Sequence, residues 1–253
     1  MLTAPEWIVL LSGLLAGAIN AIAGGGTMLT FPALLAAGLP PVLANTTSTV
    51  ALYFGMPGSV WAFRKRLKEV KHWILPLGIV SLIGGLLGAA LLLYLPESVF
   101  ERSVPWLILG ATLLFLLNEP IKRWAGDHAN SREPEKPTRL GIAFQSGVAI
   151  YGGYFGAGIG IMMLAGLSVI GLRDVHRMNA LKNVLGLLCN TAAMVFFLLS
   201  GSFDGRLALI LLAGSVPGYF LGGHFSQKIP AKAVRAIVGL VGVSIAAHLL
   251  FAT

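Results

Sequence analysis

From Trp7 to Phe63 the chain carries no Asp, Glu, Lys or Arg, and inside that run stand three consecutive glycines, Gly24, Gly25 and Gly26. A long apolar helix is stable in hydrocarbon because its peptide groups bond to one another. A glycine triplet frees several of them where no water can answer. Such an interruption persists only if it is buried in protein or lines a polar cavity. Where a second helix restarts at Thr27, its first amides point toward the break and its dipole favours negative charge. The stretch therefore predicts an anion site at mid-membrane depth, built from Gly24, Gly25 and Gly26, the Thr27 hydroxyl and the Asn20 amide one turn earlier.

The rest of the chain fits a membrane protein. It is 56% apolar and 11% charged with a mean hydropathy of +0.83, whereas soluble domains carry about 25% charged residues. Further charge-free runs cover Trp73 to Pro96, Ser103 to Asn118, Leu140 to Leu172, Asn183 to Phe203, Leu207 to Gln227 and Ala236 to Thr253. The first residues lack the basic region of a secretory signal, so the first apolar run is read as part of the fold. A single cysteine, Cys189, excludes a disulfide framework within the chain. The net charge of +8 sits in short loops between apolar runs, which argues for a lipid partner rather than a nucleic acid.

Those loops also assign sides. Leu140 to Leu172 is about 50 Å long as one helix, against a hydrocarbon core of about 30 Å. If it crosses once, the 18 Lys and Arg split 11 to 7 between the two sides. If it enters and returns as a hairpin, they split 16 to 2, with only Arg102 and Arg206 outside. Cytoplasmic loops concentrate Lys and Arg, so the hairpin is preferred, either re-entrant or as two short crossings. Residues 5 to 37 form the corresponding hairpin, and spans follow at 43 to 63, 73 to 95 and 103 to 118. The second half repeats the scheme upside down, with both termini on the exterior side.

Inversion predicts an internal repeat, and a shift of 134 residues, the distance from Ser12 to Ser146, produces one. It carries Ser12-Gly13 onto Ser146-Gly147, Gly24 and Gly26 onto Gly158 and Gly160, Met28 onto Met162, Asn45 onto Asn179, Val50 onto Val184, Gly84 and Gly88 onto Gly218 and Gly222, and Pro96 onto Pro230. The expected fold is an all-α polytopic membrane protein of two inverted repeats, 1–118 and 140–253, each a broken-helix hairpin plus three spans. Residues 119–139 form a cytoplasmic linker.

The second break, Gly152 to Gly160, offers Gly156, Gly158 and Gly160 as backbone donors. Close helix packing is the competing reading of all these glycines, and it is the stronger one for Gly84, Gly85, Gly88 and the Gly218-Tyr219-Phe220-Leu221-Gly222 segment. After each hairpin comes a polar helix start: Asn45-Thr46-Thr47-Ser48-Thr49 in the first half, Asn179 through Lys182-Asn183 in the second. These suit a polar vestibule, with helix capping as the alternative for Asn45. Lys182 either attracts anions at a cytoplasmic entrance or sets topology. Tyr53, Tyr151 and Tyr154 are further donors. No Asp or Glu lies within a span, which counts against cation transport and carboxylate-based coupling. Neither a nucleophile–base pair nor a metal cluster lies in the spans, so no enzyme, metal or cofactor is expected. Export of an anion from a negative interior needs no coupling ion, whereas import would need a proton or sodium.

The pattern Gly17-Ala-Ile-Asn20 through Gly24-Gly25-Gly26-Thr27, Phe31-Pro32, Gly38-Leu-Pro40 and Asn45-Thr46-Thr47 resembles the TauE/SafE sulfite exporter family, also called the toluene sulfonate uptake permeases. The second copy, with Gly152, Gly156, Gly158 and Gly160, is similar to that family's degenerate repeat. The resemblance implies a bacterial inner-membrane transporter of small sulfur-containing anions such as sulfite or sulfonates, usually exported by alternating access, with the glycine breaks and the polar residues after them as its site. The second copy lacks a counterpart of Pro32 and has Ala180-Leu181 where the first has Thr46-Thr47, so unequal contacts from the halves are expected. The competing function is a non-transporting membrane subunit that anchors a partner through its basic loops.

Overall fold

The computed structural model describes residues 2–22, 25–117, 120, 136–172, 174–225, 239–240 and 243–244. Every regular element among them is a helix. At the start of helix α1 (Ala4–Ile22) the Thr3 amide donates to Glu6 Oε2 at 2.8 Å, placing a carboxylate at the positive end of the helix. After the first break, α2 (Thr27–Ala36) ends in a left-handed turn at Gly38 (φ 92°), with the Leu39 amide donating to the Leu34 carbonyl at 3.1 Å. Pro41 then starts α3 (Pro41–Tyr53), at a position where a missing N–H costs nothing.

The single span expected over 43 to 63 is instead two helices. The chain bends at Phe54 and Gly55 before α4 (Met56–Ala62), whose first turn contains Pro57 and so cannot complete the ladder back into α3. A short turn, α5 (Arg64–Leu67), leads into α6 (Lys71–Tyr94) and α7 (Glu97–Leu116). The second half opens with α8 (Arg139–Tyr154), capped by Thr138 Oγ1, which accepts from the Gly141 amide at 3.1 Å. Helix α9 (Ile159–Val169) follows the second break and closes on the same kind of turn as α2, at Gly171 (φ 100°) with Leu172 donating to Leu167 at 3.0 Å. Asp174 caps α10 (Val175–Ser200) by accepting the Arg177 amide at 2.8 Å. That bond above all holds the Asp174 carboxyl below the usual carboxylate range. Asp204 caps α11 (Gly205–Phe225) through the Leu207 amide at 2.7 Å.

At 10 and 11 residues, α2 and α9 are about 15 Å long, half the hydrocarbon thickness, so neither crosses alone. Among the described residues, the continuous helical stretch through α6 and the helix α10 are long and apolar enough to do so. The exposed face of α6 carries Leu75, Ile79, Ile83 and Leu86, while Gly78, Ser81, Gly84, Gly85 and Gly88 are buried. Small residues inside and large apolar residues outside are the arrangement a lipid-facing helix takes.

Backbones touch directly in two helix pairs. A Cβ on Gly13 would strike the Leu211 carbonyl and one on Gly17 that of Ser215, while Gly214 and Gly218 stand against the carbonyls of Leu10 and Leu14. These contacts advance together, so α1 and α11 run parallel. Helices α6 and α8 pair the same way, through Ser81 with Gln145 (2.9 Å), Gly84 with Ala149 and Gly88 with Ile150. Arg177 donates to the Glu69 carbonyl at 3.2 Å, so α6 and α10 start at one end. Helix α11 starts at the other end, where Arg206 meets Glu6 at 2.8 Å. The two pairs therefore run in opposite directions. Gly141 lies against Ile170, so α8 and α9 form a hairpin that returns to the end it entered. The linker over 121–135 and the span expected over 236 to 253, apart from isolated positions, lie outside the described residues.

Candidate anion-binding site

Both helix breaks open onto one cavity of about 120 Å³, room for roughly four waters or a small ion with part of its hydration. The first break contributes Asn20, Gly25 and Thr27, and the second Phe155, Gly156, Gly158 and Gly160. Thr49, Met56 and Ser59 come from α3 and α4, Lys182, Asn183, Gly186 and Asn190 from α10, and Tyr219 from α11. Leu52, Ile159 and Met163 complete the wall. Among the described residues that line it there is no Asp or Glu, and Lys182 is the one ionisable cation, which favours an anion in a low-dielectric setting.

The second break is built for donation. Gly156 (φ 78°) and Gly158 (φ 76°) take left-handed conformations that other residues rarely adopt, and the Tyr151 hydroxyl pins the loop by donating to the Ala157 carbonyl at 2.7 Å. The Ile161 and Met162 amides bond back to Gly158, and that of Ile159 to Gly156. This leaves the amides of Ala157, Gly158 and Gly160 with no acceptor among the described residues. The Lys182 side chain lies alongside: a Cβ on Gly160 would sit 3.5 Å from its Cδ and 4.0 Å from its Nζ. Lys182 Nζ also donates to Asn179 Oδ1 at 3.2 Å.

The first break differs from expectation in one respect. The Gly26 amide, expected to face a ligand, donates to Asn20 Oδ1 at 2.7 Å. Asn20 Nδ2 in turn donates to the Tyr219 hydroxyl oxygen at 2.9 Å. Asn20 therefore lines the cavity while holding together the two sides of the break. On one side the cavity is closed by Phe155, whose ring meets Phe31 edge-on at 5.5 Å, with Phe100 packed against both; all three are buried. Ser59 and Lys182 mark its other side, toward the end that holds Glu69 and Arg177.

The family model described as Sulfite exporter TauE/SafE matches residues 9–249. The chain belongs to that family. Among curated proteins it is 28% identical to a probable membrane transporter protein of Haemophilus influenzae, over 94% of this chain and 92% of that one. It is also 28% identical to the probable membrane transporter protein ORF9 of a Sinorhizobium species, over 93% and 88%. For the probable membrane transporter protein YfcA of Escherichia coli K12 the identity is 27%, over 94% and 87%. No solved structure gives a significant match.

Several residues expected at this TauE/SafE site stand elsewhere. Gly24 lies outside the described residues. Thr46 and Thr47 are fully buried in the body of α3 rather than in a vestibule. Thr46 Oγ1 bonds back to the Leu43 carbonyl, and Thr47 Oγ1 accepts from the Asp204 amide at 2.9 Å. Asn45 is not a helix cap either, since Pro40 holds that position; its Nδ2 donates to the Tyr154 carbonyl at 2.9 Å, bracing the second break from behind. Asn179 is not among the described lining residues, but its Oδ1 accepts from Lys182 Nζ at 3.2 Å. Of the tyrosines singled out, Tyr151 pins the loop and Tyr53 accepts from Thr191 at 3.1 Å. Thr49, the last residue of the polar run after the first hairpin, does line the cavity, whereas Ser59, Asn190 and Tyr219 are lining residues that the sequence reading does not place at a site. The available signal for α10 was spacing: Asn183, Gly186 and Asn190 fall three and four residues apart, a polar and small stripe on one face of an otherwise apolar helix.

Proposed function

We propose that this member of the TauE/SafE family is a transporter that moves small sulfur-containing oxyanions, sulfite or sulfonates, across a bacterial inner membrane, normally outward, by alternating access between two inverted halves. One observation carries the reading: two glycine breaks far apart in sequence meet at one cavity whose wall, among the described residues, holds amide and hydroxyl donors and Lys182 but no carboxylate. An oxyanion with several acceptor oxygens satisfies such a wall, and a cation would find no counter-charge in it.

The inverted halves are supported by matching element bounds. Moving α2 (27–36) along by 134 residues gives 161–170 against 159–169 for α9, and moving α6 (71–94) gives 205–228 against 205–225 for α11. The antiparallel relation of the two glycine-packed pairs has the same implication. With the basic loops cytoplasmic, the cavity is accessible from the inside and the Phe31, Phe100 and Phe155 cluster closes the outside. An anion leaving against a negative interior gains about 2.3 kcal/mol per charge per 100 mV, enough to run export without a coupling ion. The test is flux of labelled sulfite and sulfonates through proteoliposomes containing only the purified chain. Saturable, voltage-dependent flux is expected. Absence of flux for every oxyanion with folded protein would overturn the reading and favour an anchoring subunit.

A further inference from the structure

Resting on that reading, we infer that Tyr219, at the centre of α11, is a substrate-contacting residue whose hydroxyl proton is turned toward the anion by Asn20. The argument starts from a backbone amide. The Gly26 N–H can bond only to an oxygen, so the atom 2.7 Å from it must be Asn20 Oδ1. That settles which way the Asn20 amide points. Its Nδ2 is then the atom 2.9 Å from the Tyr219 oxygen, and an NH₂ group can only donate. The tyrosine oxygen is consequently an acceptor in this contact, and its own proton must point elsewhere. No acceptor among the described residues takes that proton, while Tyr219 and Asn20 both line the cavity.

The packing holds the ring to this task. Gly55, at the bend between α3 and α4, leaves the space the ring fills: a Cβ there would fall on Tyr219 Cδ2 and Cε2. Gly17 of α1 lies against the Tyr219 amide on its other side. A ring seated between a helix bend and the parallel helix α1 keeps its hydroxyl at the first break. Under the 134-residue shift, Tyr219 corresponds to Gly85 and Asn20 to Tyr154, so the second half has no equivalent pair. The two breaks therefore serve an anion differently, with a pre-aimed hydroxyl from the first and amides beside Lys182 from the second.

The test is Tyr219→Phe in the full-length purified protein, a change that keeps the ring and removes the hydroxyl. Binding of sulfite, thiosulfate and sulfate is measured by calorimetry, and the melting temperature is measured without anion. Loss of a hydrogen bond to a charged group predicts a dissociation constant raised about 10- to 100-fold, with the anion-free melting temperature lowered only by the few degrees that loss of the Asn20 Nδ2 acceptor accounts for. In the wild type, sulfite should also shift a tyrosine C–O stretching band in the difference infrared spectrum, a response that a purely structural tyrosine would not give and that remains measurable if the variant misfolds. Equal affinities in the two proteins, or no infrared shift on saturation, would overturn the inference while leaving the anion reading intact. Failure of the wild type to bind any of the three anions would overturn both.

Discussion

Gly160 separates the two meanings a glycine can have in this protein. Added at that position, a methyl group meets only Lys182 Cδ at 3.5 Å and Nζ at 4.0 Å, ordinary contact distances, and the residue sits in the first turn of α9 without a positive φ. Replacing a helical glycine with alanine stabilises by about 0.5–1 kcal/mol. Gly160→Ala should therefore fold at least as well as the wild type. The same methyl enters a cavity of about 120 Å³ and, at roughly the size of a water, removes about a quarter of it. It also narrows the space beside the Lys182 side chain, where an anion would approach the Gly160 amide. Loss of one donor to a charged ligand, at about 1.5–3 kcal/mol, corresponds to a 10- to 100-fold weaker anion. Gly88→Ala is the control: its Cβ would strike the Ile150 carbonyl and the Tyr154 amide, a backbone clash costing about 1–3 kcal/mol. The assay pairs melting temperature with sulfite flux in proteoliposomes. Gly160→Ala should lose flux at undiminished stability, and Gly88→Ala should lose stability. Full flux in Gly160→Ala would refute the view that this break serves a ligand.

Other outcomes follow from the same geometry. Lys182→Gln should raise the dissociation constant for sulfite at least tenfold and flatten its salt dependence, since unit charges 4 Å apart attract by about 4 kcal/mol at an effective dielectric of 20; calorimetry at several salt concentrations reads both. Asp174→Ala removes the cap of α10 and should lower stability by about 1 kcal/mol at neutral pH. Because its carboxyl is held below the usual range, the Asp174 contribution is present above the ordinary carboxylate pKa and disappears as pH falls through the depressed value. Acid titration of the melting temperature should therefore show a smaller decline in the variant. Cysteine introduced at the exposed His176 should be labelled only from the cytoplasm, and at Arg206, 70% exposed, only from outside. Wild-type Cys189 is buried and contributes no background.

The breaks were legible because glycines in an uncharged run leave only a few physical solutions. The bend at Gly55 was not. Its neighbours Phe54 and Met56 continue the apolar pattern, and although Pro57 breaks the hydrogen-bond ladder there, what fills the bend, the Tyr219 ring, comes from a helix distant in sequence. Tyr219 itself was hidden between Gly218 and Gly222, whose spacing marks a packing face, and Gly218 does pack against Leu14. Thr46 and Thr47 misled in the opposite sense. Small hydroxyls in a row suggest a polar surface, but here they are spent on Leu43 and Asp204 and leave only Thr49 of the stretch at the cavity. Composition reports that a hydroxyl exists, and only the fold decides which acceptor or donor claims it.

The claim beneath all of this is that an anion sits where the two breaks converge. Selenite, an isostere of sulfite with a strong anomalous signal, locates it directly in crystals of the full-length protein. A single anomalous peak within hydrogen-bonding distance of the Gly158 and Gly160 amides, beside Lys182 and Tyr219, is the predicted result. Selenite bound only among the exposed arginines and lysines of the loops, with the cavity empty at saturating concentration, would contradict it.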